Sequence, residues 1–579
     1  PPPFPIWNDE LYLEFHRGCY TTHADQKRWN RRCENLLYEA ELFATLATVS
    51  CGVTYPKAEI EAAWKQVLFQ QFHDILPGSS ITQVYTDALP QWQQVEQIGT
   101  KILQESLLAI ASHITLLQPP KPNSLPIFVF NSLNWQRSEV VSVALPTPEE
   151  WQIYDASGKQ VVSQLSEPST LLFLATEIPP VGYRIFWLSL SSPSLPIPHS
   201  PLLPDWILEN EFLRVVIDPD TGDLSSVFDK TYQREVLSGA GNQLQAFKDS
   251  GQYWDAWNID PNYAQHPLPS TNLLSIQWVE QGPVQSRVRV VRQLGESEFC
   301  QDYILPASSP LLKIATTVNW QENHVLVKAA FPLNIEADFA TYEIPSGAIR
   351  RPTKPQTPAE QAKWEVPALR WADLTGETQE GIYGVSLLND CKYGYDSKPD
   401  QLRLTLLRSP NWPDSEADKG FHEFTYSLYP HASSWESAHT VRRGYELNIP
   451  LQVILNPLTT HNCLNHSYPL TALAQRPATT NRTIERVSFL DLSSENLILM
   501  AFKPSEDDPQ QLILRCYECH GETAELSWQS DLGLNLGDTV DLLERFSTTE
   551  FSSGQQILTI QPWKIASFKV IPAINPRLE

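Results

Sequence analysis

Residues 69–80, FQQFHDILPGSS, place a histidine beside an aspartate just before a Pro-Gly turn. An imidazole is a common metal ligand, and a neighbouring carboxylate can bind the same ion, orient the imidazole or contact a bound ligand. His73 can equally be the last residue of a helix and hydrogen-bond its final carbonyl groups, with Asp74 only a polar neighbour of the turn. A catalytic zinc takes three protein ligands, and no His-x-Asp or cysteine pair lies near position 73. The local pattern leaves both interpretations open.

A second stretch that could bind a ligand is SGQYWDAWNID, residues 250–260. It contains Tyr253, Trp254, Asp255 and Trp257. Aromatic faces suit the CH face of a sugar, and a carboxylate suits its hydroxyl groups. Alternatively, one or both tryptophans pack between sheets. The sequence favours neither interpretation.

Two further stretches carry charged residues. NDCKYGYD, residues 389–396, is a predicted loop in which Asp390 and Lys392 could line the entrance to a site, although a structural role is favoured. His422 follows a run of turn residues that includes prolines, which favours a structural role for this histidine as well.

Three stretches near the N-terminus have the three- and four-residue spacing of apolar residues that forms one buried face of an α-helix. The first covers about 23–49, the second runs from Thr54, a potential cap, to the Pro77-Gly78 turn, and the third covers about 80–117. The residues predicted to be buried on the second helix are Ile60, Trp64, Val67, Leu68 and Phe72. The short connections predict a compact three-helix bundle.

After the Pro-rich sequence LLQPPKPNSLP, the pattern changes to short runs of alternating apolar and polar residues, such as PIFVFNSL, SRVRVVRQL and DQLRLTLLR. Runs of this kind, separated by Pro, Gly, Asn and Asp, are typical of antiparallel sandwiches. The predicted fold class is therefore α+β and multidomain, with an N-terminal three-helix bundle followed by large antiparallel β-sandwich domains. Breaks are expected near 189–204 and 473–483.

The chain has 579 residues and a formal net charge of -25 at pH 7. Because nucleic acid and anionic membrane surfaces would repel such a chain, we expect neither as a partner, whereas a neutral sugar is compatible. The sequence contains no apolar run of about 18 residues. Its eight scattered cysteines are too few for a disulfide scaffold, which favours reduced thiols and a cytoplasmic location. A homo-oligomer is compatible with these features.

Long stretches of the chain resemble the glycoside hydrolase family 38 α-mannosidases, in particular their bacterial and cytosolic-type branch. The resemblance is carried by NDELYLEFHRGCYTTHADQKRWNRRCENLLYEAE and AWKQVLFQQFHDILPGSSITQVYTDA, and it continues through FVFNSLNWQRSEVV, ENEFLRVVIDPDTGDLSSVFDK, NQLQAFKDSGQYWDAWNID, YEIPSGAIRRPT and HEFTYSLYPH. It therefore covers nearly the whole chain, and strings of this length and composition are not expected by chance.

The resemblance implies a retaining, metal-dependent hydrolysis of terminal α-mannosides in mannose-containing oligosaccharides, with zinc as the usual ion. In such enzymes one Asp attacks the anomeric carbon and a second carboxyl group, about 5 Å away, protonates the leaving oxygen. By resemblance, His73 matches a metal ligand, Asp74 matches its neighbour that faces the sugar, and Tyr253 loosely matches a tyrosine that the sandwich projects into the pocket. Asp255 and Lys392 complete the set of candidate sugar-binding residues.

The family carries its other metal ligands, its nucleophile and its acid on an α/β domain before the ELYLE…HRG segment, which here starts at residue 10. We therefore expect no catalytic residue in this chain and place the catalytic domain upstream of Pro1, either in a longer protein or in a separately encoded subunit. The chain has one His-x-Asp sequence, HAD at 23–25, which the resemblance places on the first bundle helix. We interpret it as a surface coincidence.

These inferences divide the chain into five parts. The expected ranges are 1–22 for the end of the catalytic domain, 23–118 for the bundle, 119–196 for a small β domain, 197–472 for a large β-sandwich and 473–579 for a C-terminal β domain. The first hypothesis is the C-terminal portion of an α-mannosidase, inactive without its catalytic domain. The alternative is a non-catalytic carbohydrate-binding or scaffold protein derived from one, and a hydrolase with an unrelated site in the β region ranks last.

Overall fold

The fold is α+β and multidomain, as predicted. The computed structural model describes residues 6–116, 118–167, 169–191, 205–250, 254–455, 485–546 and 558–572. The helices are α1 (Ala24–Cys51), α2 (Lys57–Gln70), α3 (Thr82–His113), α4 (Pro358–Gln361) and α5 (Thr440–Asn448), together with 3₁₀ segments at Glu14–Tyr20 and Tyr263–Gln265.

Helices α1, α2 and α3 form the predicted bundle around one buried apolar cluster. The cluster contains Cys33, Leu37, Ala63, Val67, Ile75, Ala88, Trp92 and Val95. Gly52 caps the C-terminus of α1, and its φ of +72° allows its N–H to reach the Thr48 carbonyl at 3.1 Å. The apolar spacing in the sequence therefore identified the faces that pack together in α1 and α3.

The second helix differs from its prediction at both ends. Thr54 does not cap it, because the residue before the helix is Pro56, which makes no side-chain capping bond. The helix ends at Gln70, and turns carry the chain on to Gly78. Leu68 and Phe72 were predicted to be buried, but both are more than half exposed. The periodicity marked an apolar stripe correctly, but part of that stripe faces outward.

The described strands pair antiparallel. Strands up to residue 191 are β1 (Leu125–Asn131), β2 (Arg137–Ala144), β3 (Trp151–Tyr154), β4 (Gln160–Val161), β5 (Ser163–Glu167), β6 (Thr170–Ile178) and β7 (Gly182–Leu190). Strands of the central region are β8 (Ile207–Glu209), β9 (Leu213–Ile217), β10 (Leu224–Asp229), β11 (Arg234–Glu235), β12 (Gln243–Lys248), β13 (Asn272–Gln281), β14 (Gln285–Leu294), β15 (Ser297–Pro306), β16 (Leu312–Trp320), β17 (Val325–Pro332), β18 (Phe339–Ile344), β19 (Gly347–Pro352), β20 (Val366–Pro367), β21 (Trp371–Thr378), β22 (Gly381–Asn389), β23 (Gly394–Lys398), β24 (Gln401–Arg408), β25 (Gly420–Ala432) and β26 (Gln452–Leu455). The last strands are β27 (Arg486–Ser488), β28 (Leu497–Pro504), β29 (Leu512–Glu518), β30 (Ala524–Leu526), β31 (Leu534–Val540), β32 (Leu558–Ile560) and β33 (Ile565–Pro572).

The large sandwich contains a nine-stranded sheet in the order β13-β14-β15-β16-β25-β22-β21-β18-β19. A five-stranded sheet, β12-β17-β24-β23-β20, and a four-stranded sheet, β11-β10-β9-β8, share its core. Residues such as Val288, Phe299, Leu404 and Tyr426 are completely buried between them. Alternation along the strands places these side chains on the inner faces of the sandwich.

The small β region, predicted at 119–196, takes strands from outside that range. Its six-stranded sheet follows the order β26-β1-β7-β3-β4, with β27 paired to β7. Strand β26 comes from within the range predicted for the large sandwich, and β27 comes from the predicted C-terminal domain. The sheet is therefore assembled from three separate stretches of the chain.

A single apolar core joins the bundle, the small sheet and the C-terminal strands. It includes Phe43 and Leu107 from helices, Phe128 and Trp187 from the small sheet, and Leu514 from the four-stranded sheet β28-β29-β33-β31. The bundle is thus anchored to both β regions. In the described part of the chain, no helix has the length and apolar character needed to cross a bilayer.

Candidate functional site

His73 lies on the turns that follow α2, and we call residues 71–80 the HD loop. Its side chain is 78% exposed, and its Nε2 atom lies 3.5 Å from Oδ2 of the half-exposed Asp74. Its ring packs against Phe72, with a centroid distance of 4.2 Å. The C-terminal end of α2 is capped by a backbone hydrogen bond, in which the Gln71 N–H donates to the Val67 carbonyl at 3.1 Å. His73 is therefore open to a ligand outside the chain rather than occupied in ending the helix.

Buried contacts beneath the exposed histidine hold the HD loop in place. Gly78 has a φ of +84°, and a Cβ there would collide with the Thr22 carbonyl group. The Lys27 ammonium donates to the Leu76 carbonyl at 2.9 Å and to the Thr22 carbonyl at 2.5 Å. The loop is thus anchored to the turn that precedes α1.

His73 does not form a metal site with other described residues. In the part of the chain that the structure describes, no three His, Cys, Asp or Glu side chains are grouped so that they could hold a metal ion. A catalytic zinc takes about three protein ligands. The exposed imidazole of His73 can supply one such ligand.

Two exposed tryptophans lie on the sandwich, one of them in the predicted sugar-binding stretch. Tyr253 lies outside the described residues, whereas Trp254 is 60% exposed and Trp412 is 52% exposed. Their ring centroids are 6.2 Å apart, and Trp257 packs against both rings at 6.1 and 5.6 Å. Trp254 has a φ of +58°, which a bulky residue rarely adopts. Trp412 was not among the predicted site residues, although a tryptophan between turn residues in NWPD was an available signal.

Asp255 is a buried structural group. Its Oδ2 atom accepts the Asn411 N–H at 2.6 Å, and the Arg408 guanidinium donates to its backbone carbonyl at 2.7 Å. Only 6% of the residue is exposed. The prediction that Asp255 contacts sugar therefore has no support in this structure.

Lys392 is buried as well. Its ammonium lies over the Phe424 ring, 3.9 Å from the ring centroid, and burial lowers the pKa of Lys392. Neither Lys392 nor the adjacent Asp390 forms an open charged entrance. The favoured structural role agrees with these contacts, and the prediction that Lys392 binds a sugar has no support in the structure.

The segment 18–22, just before α1, contacts both the HD loop and the tryptophan cluster. The Gly18 N–H donates to the Trp257 carbonyl at 2.7 Å, and a Cβ at Gly18 would lie 2.8 Å from the Ala256 carbonyl oxygen. Four residues later, Thr22 contacts Gly78 of the HD loop. His73, Asp74 and the tryptophan cluster are therefore held on one framework, whereas Lys392 is buried.

The HAD sequence at 23–25 is buried at His23 and Ala24, whereas the Asp25 side chain is partly exposed. His23 is only 5% exposed and directly precedes α1, so the prediction of a surface coincidence is wrong. Its contacts are with Tyr85 of α3 and with Asp414, which follows Trp412 by two residues. These partners are distant in sequence, which is why the sequence alone did not reveal them.

Two solved structures have a similar architecture. The fold aligns with an α-mannosidase from Enterococcus faecalis V583 at a TM-score of 0.76 and 17% identity, covering 96% of this chain and 68% of that chain. A glycosyl hydrolase family 38 protein from Enterococcus faecalis aligns at a TM-score of 0.75 and 17% identity, covering 96% of this chain and 71% of that chain. At this identity the likeness establishes the fold alone.

Sequence comparison identifies the family. Residues 14–110 match the α-mannosidase middle domain, residues 208–416 match the glycosyl hydrolases family 38 C-terminal domain, and residues 496–568 match that family's C-terminal β-sandwich domain. Together these ranges take in more than half of the chain. The chain therefore belongs to glycoside hydrolase family 38, as the resemblance indicated, and contains its middle and C-terminal domains.

Curated relatives agree with this assignment. Human α-mannosidase 2C1 is 32% identical over 98% of this chain and 50% of its own length. An α-mannosidase from Saccharomyces cerevisiae is 28% identical over 98% of this chain and 49% of its own length. The chain thus spans about half the length of the curated relatives it matches.

Proposed function

We propose that this chain is the C-terminal portion of a retaining, zinc-dependent α-mannosidase of the cytoplasm, which cleaves terminal α-D-mannosides from oligosaccharides in mannose catabolism. On this proposal the chain is inactive without the catalytic domain. The observation that carries it is the position of His73, exposed on the HD loop of a chain that aligns with α-mannosidases over 98% of its length. The substrate contacts on this chain are proposed from the same loop and from the tryptophans.

Each exposed group has a defined role in this proposal. Bound zinc would act as a Lewis acid toward the hydroxyl oxygens of the sugar. His73 would hold the ion through a ring nitrogen, and Asp74, 3.5 Å from that ring, would orient the imidazole or accept a hydrogen bond from a sugar hydroxyl. Trp254 and Trp412 offer apolar faces to the CH groups of a sugar. The nucleophile and the acid would come from the catalytic domain.

Exposed apolar residues around the HD loop support a contact with a further domain. We call Leu68, Phe69, Phe72 and Ile81 the apolar face, because all four are more than half exposed. Large side chains grouped on a surface commonly mark a protein interface. The sequence predicts an apolar surface around His73, shaped to pack against a catalytic domain, although it assigned Leu68 and Phe72 to the buried side of α2.

The proposal is tested by complementation. A polypeptide with the family's catalytic domain is assayed on an aryl α-mannoside alone, with this chain, and with this chain after zinc has been removed by a chelator. We expect hydrolysis only when the chain and zinc are both present. A mixture that is no faster than the catalytic polypeptide alone would contradict the proposed function.

We also expect the isolated chain to self-associate through the apolar face. The double substitution F69D/F72D should shift the protein toward monomer in sedimentation velocity and should weaken complementation, because both contacts use the same side chains. Ile382→Asp is the matched control, since Ile382 is 52% exposed on a strand of the large sandwich. A wild-type chain that is monomeric at all concentrations would argue against the interface.

A second candidate function, a non-catalytic carbohydrate-binding protein, is favoured by the exposed tryptophan cluster. In that case the isolated chain should bind mannose oligosaccharides by itself, and the sugar should quench tryptophan fluorescence. Trp412→Ala should abolish the quenching. Saturable binding together with no effect in the complementation assay would favour this function over the first.

A further inference from the structure

The turn before α1 contains a buried histidine that contacts three parts of the molecule. The His23 ring stacks on the Tyr85 ring at a centroid distance of 3.6 Å. Its Nε2 atom lies 3.1 Å from Oδ2 of Asp414, and its Nδ1 atom lies 3.4 Å from Oδ1 of Asp25. The Asp418 carboxylate also faces this turn, since it accepts the N–H groups of His23 and Ala24 at 2.7 Å each.

These carboxylates determine the charge of the histidine. Burial by itself would lower the pKa of His23, but Asp25 and Asp414 outweigh this effect and raise the pKa to about 9. The pKa of the Asp414 carboxyl is correspondingly lowered, against the effect of its own burial. His23 is therefore a buried imidazolium at neutral pH.

The contacts of His23 lead directly to the HD loop. The hydroxyl of Tyr85 accepts the Ser80 N–H at 2.7 Å and lies 3.5 Å from the Asp74 carbonyl oxygen, to which it can donate. At the start of α3, the Thr82 hydroxyl donates to the Asp414 carboxylate. One buried ring thus supports the tyrosine that holds the loop backbone on both sides of the Pro-Gly turn.

The same histidine reaches the tryptophan cluster through Asp414. Asp414 lies two residues after Trp412, and its Oδ1 atom accepts the Glu416 N–H at 2.9 Å, which fixes the local turn. The Trp412 carbonyl in turn accepts the Ala256 N–H at 3.0 Å. The His23–Asp414 ion pair therefore connects the HD loop of the bundle to the Trp412 segment of the sandwich.

We propose that His23, held between Asp414 and Tyr85, is a positioning residue that fixes the HD loop, and with it His73, relative to the Trp412 segment. Stability alone does not account for a buried charge here, because well-packed apolar residues often serve as well as a buried ion pair or better. The inference deepens the proposed function and depends on it only for what the loop binds.

The test is hydrogen exchange in the full chain carrying His23→Asn. Asparagine tolerates the left-handed backbone at this position, where φ is +53°, so the substitution removes mainly the ring and the charge. We expect amides of residues 72–80 to exchange about tenfold faster, as for a lost hydrogen-bonded support. The matched control is His113→Asn, at the opposite end of α3, which should leave these rates unchanged.

Two results would overturn the proposal. One is that the amides of the HD loop exchange in His23→Asn at the same rates as in wild type. The other is an equal acceleration of all protected amides, which would make His23 a general stabiliser of the fold. If His23→Asn does not fold, Tyr85→Phe decides the question, since it keeps the ring stack but removes the acceptor of the Ser80 N–H. Unchanged protection of the Ser80 amide in Tyr85→Phe would also refute the proposal.

The pH dependence gives an independent readout. Because the pKa of His23 is raised from 6.5 to about 9, its support of the loop is complete below about pH 6.5 and is lost as the pH rises through about 9. Burial lowers the pKa of Lys27 to about 8, so Lys27 titrates in the same range and also contacts the loop. We therefore expect the rise in loop exchange, corrected for intrinsic base catalysis, to be smaller in His23→Asn than in wild type. Identical pH profiles would contradict the proposal.

These measurements separate the inference from the proposed function. Hydrogen exchange needs no catalysis, so a failed complementation assay would remove the α-mannosidase proposal and leave the loop result standing. In a complemented enzyme, His23→Asn should change kcat and KM with a pH profile that differs from wild type. His113→Asn should match wild type in both.

Discussion

Replacing His73 with alanine in the complemented enzyme should lower aryl α-mannoside hydrolysis by more than about a hundredfold and should also lower the zinc content. Removing a residue that only orients a metal ligand typically lowers metal affinity or activity by about 10–100-fold. His73 is proposed as a ligand itself, so the loss should be larger. Its side chain is exposed, so its removal should not unfold the chain. The expected loss is therefore one of metal binding and not of folding.

Zinc content by mass spectrometry and kcat/KM are the measurements for this prediction. His266→Ala is a matched control, because His266 is also exposed but lies on the sandwich after a short 3₁₀ segment. We expect the control to behave as wild type. A His73→Ala enzyme with normal zinc and normal rate would show that the ion, if present, is held elsewhere.

The second large effect concerns stability. Lys328 is completely buried, and its ammonium donates to the Asp396 carboxylate at 2.7 Å and the Thr405 hydroxyl at 2.8 Å, as well as to the Glu365 carboxylate. Lys328→Met should lower the free energy of unfolding by about 3–5 kcal/mol, because it leaves Glu365 buried without its cation. Urea or thermal unfolding measures the change.

A surface lysine provides the control for Lys328. Lys354 is half exposed and pairs with Glu336 at 2.6 Å, so solvent screens the pair and Lys354→Met should leave the free energy of unfolding nearly unchanged. Adding Glu365→Gln to Lys328→Met should recover part of the loss, since the uncompensated carboxylate is then removed. A loss below about 1 kcal/mol for Lys328→Met alone would contradict the importance of this buried network.

The bundle could be predicted well because its signal is local. Helices α1 and α3 begin and end within a few residues of their predicted limits, since each repeats the helical spacing over several turns. The same spacing could not tell which part of the stripe on α2 faces the core, so Leu68 and Phe72 were assigned wrongly. Apolar periodicity identifies a face but not the partner that covers it.

The site could be predicted only in part. His73 was singled out through the resemblance to family 38, because its local pattern left two interpretations open, and the structure places it on an exposed loop. The burial of His23 depends on Tyr85 and Asp414, which are brought together by the packing of the bundle on the sandwich. Lys392 stands in a loop-like sequence, yet tertiary packing turns its ammonium onto Phe424. A local sequence pattern does not predict contacts between segments that are distant in sequence.

The pairing of β1 with β26 has a consequence for synthesis of the protein. Ile127 lies opposite Leu455, and β7 receives β27 only at Arg486–Ser488. During translation, the outer edge of β1 and the start of β7 must wait for several hundred further residues to leave the ribosome, with unpaired N–H and C=O groups in the meantime. A nascent chain that stalls in the large sandwich would therefore carry two open strand edges, which makes it a natural client for chaperones.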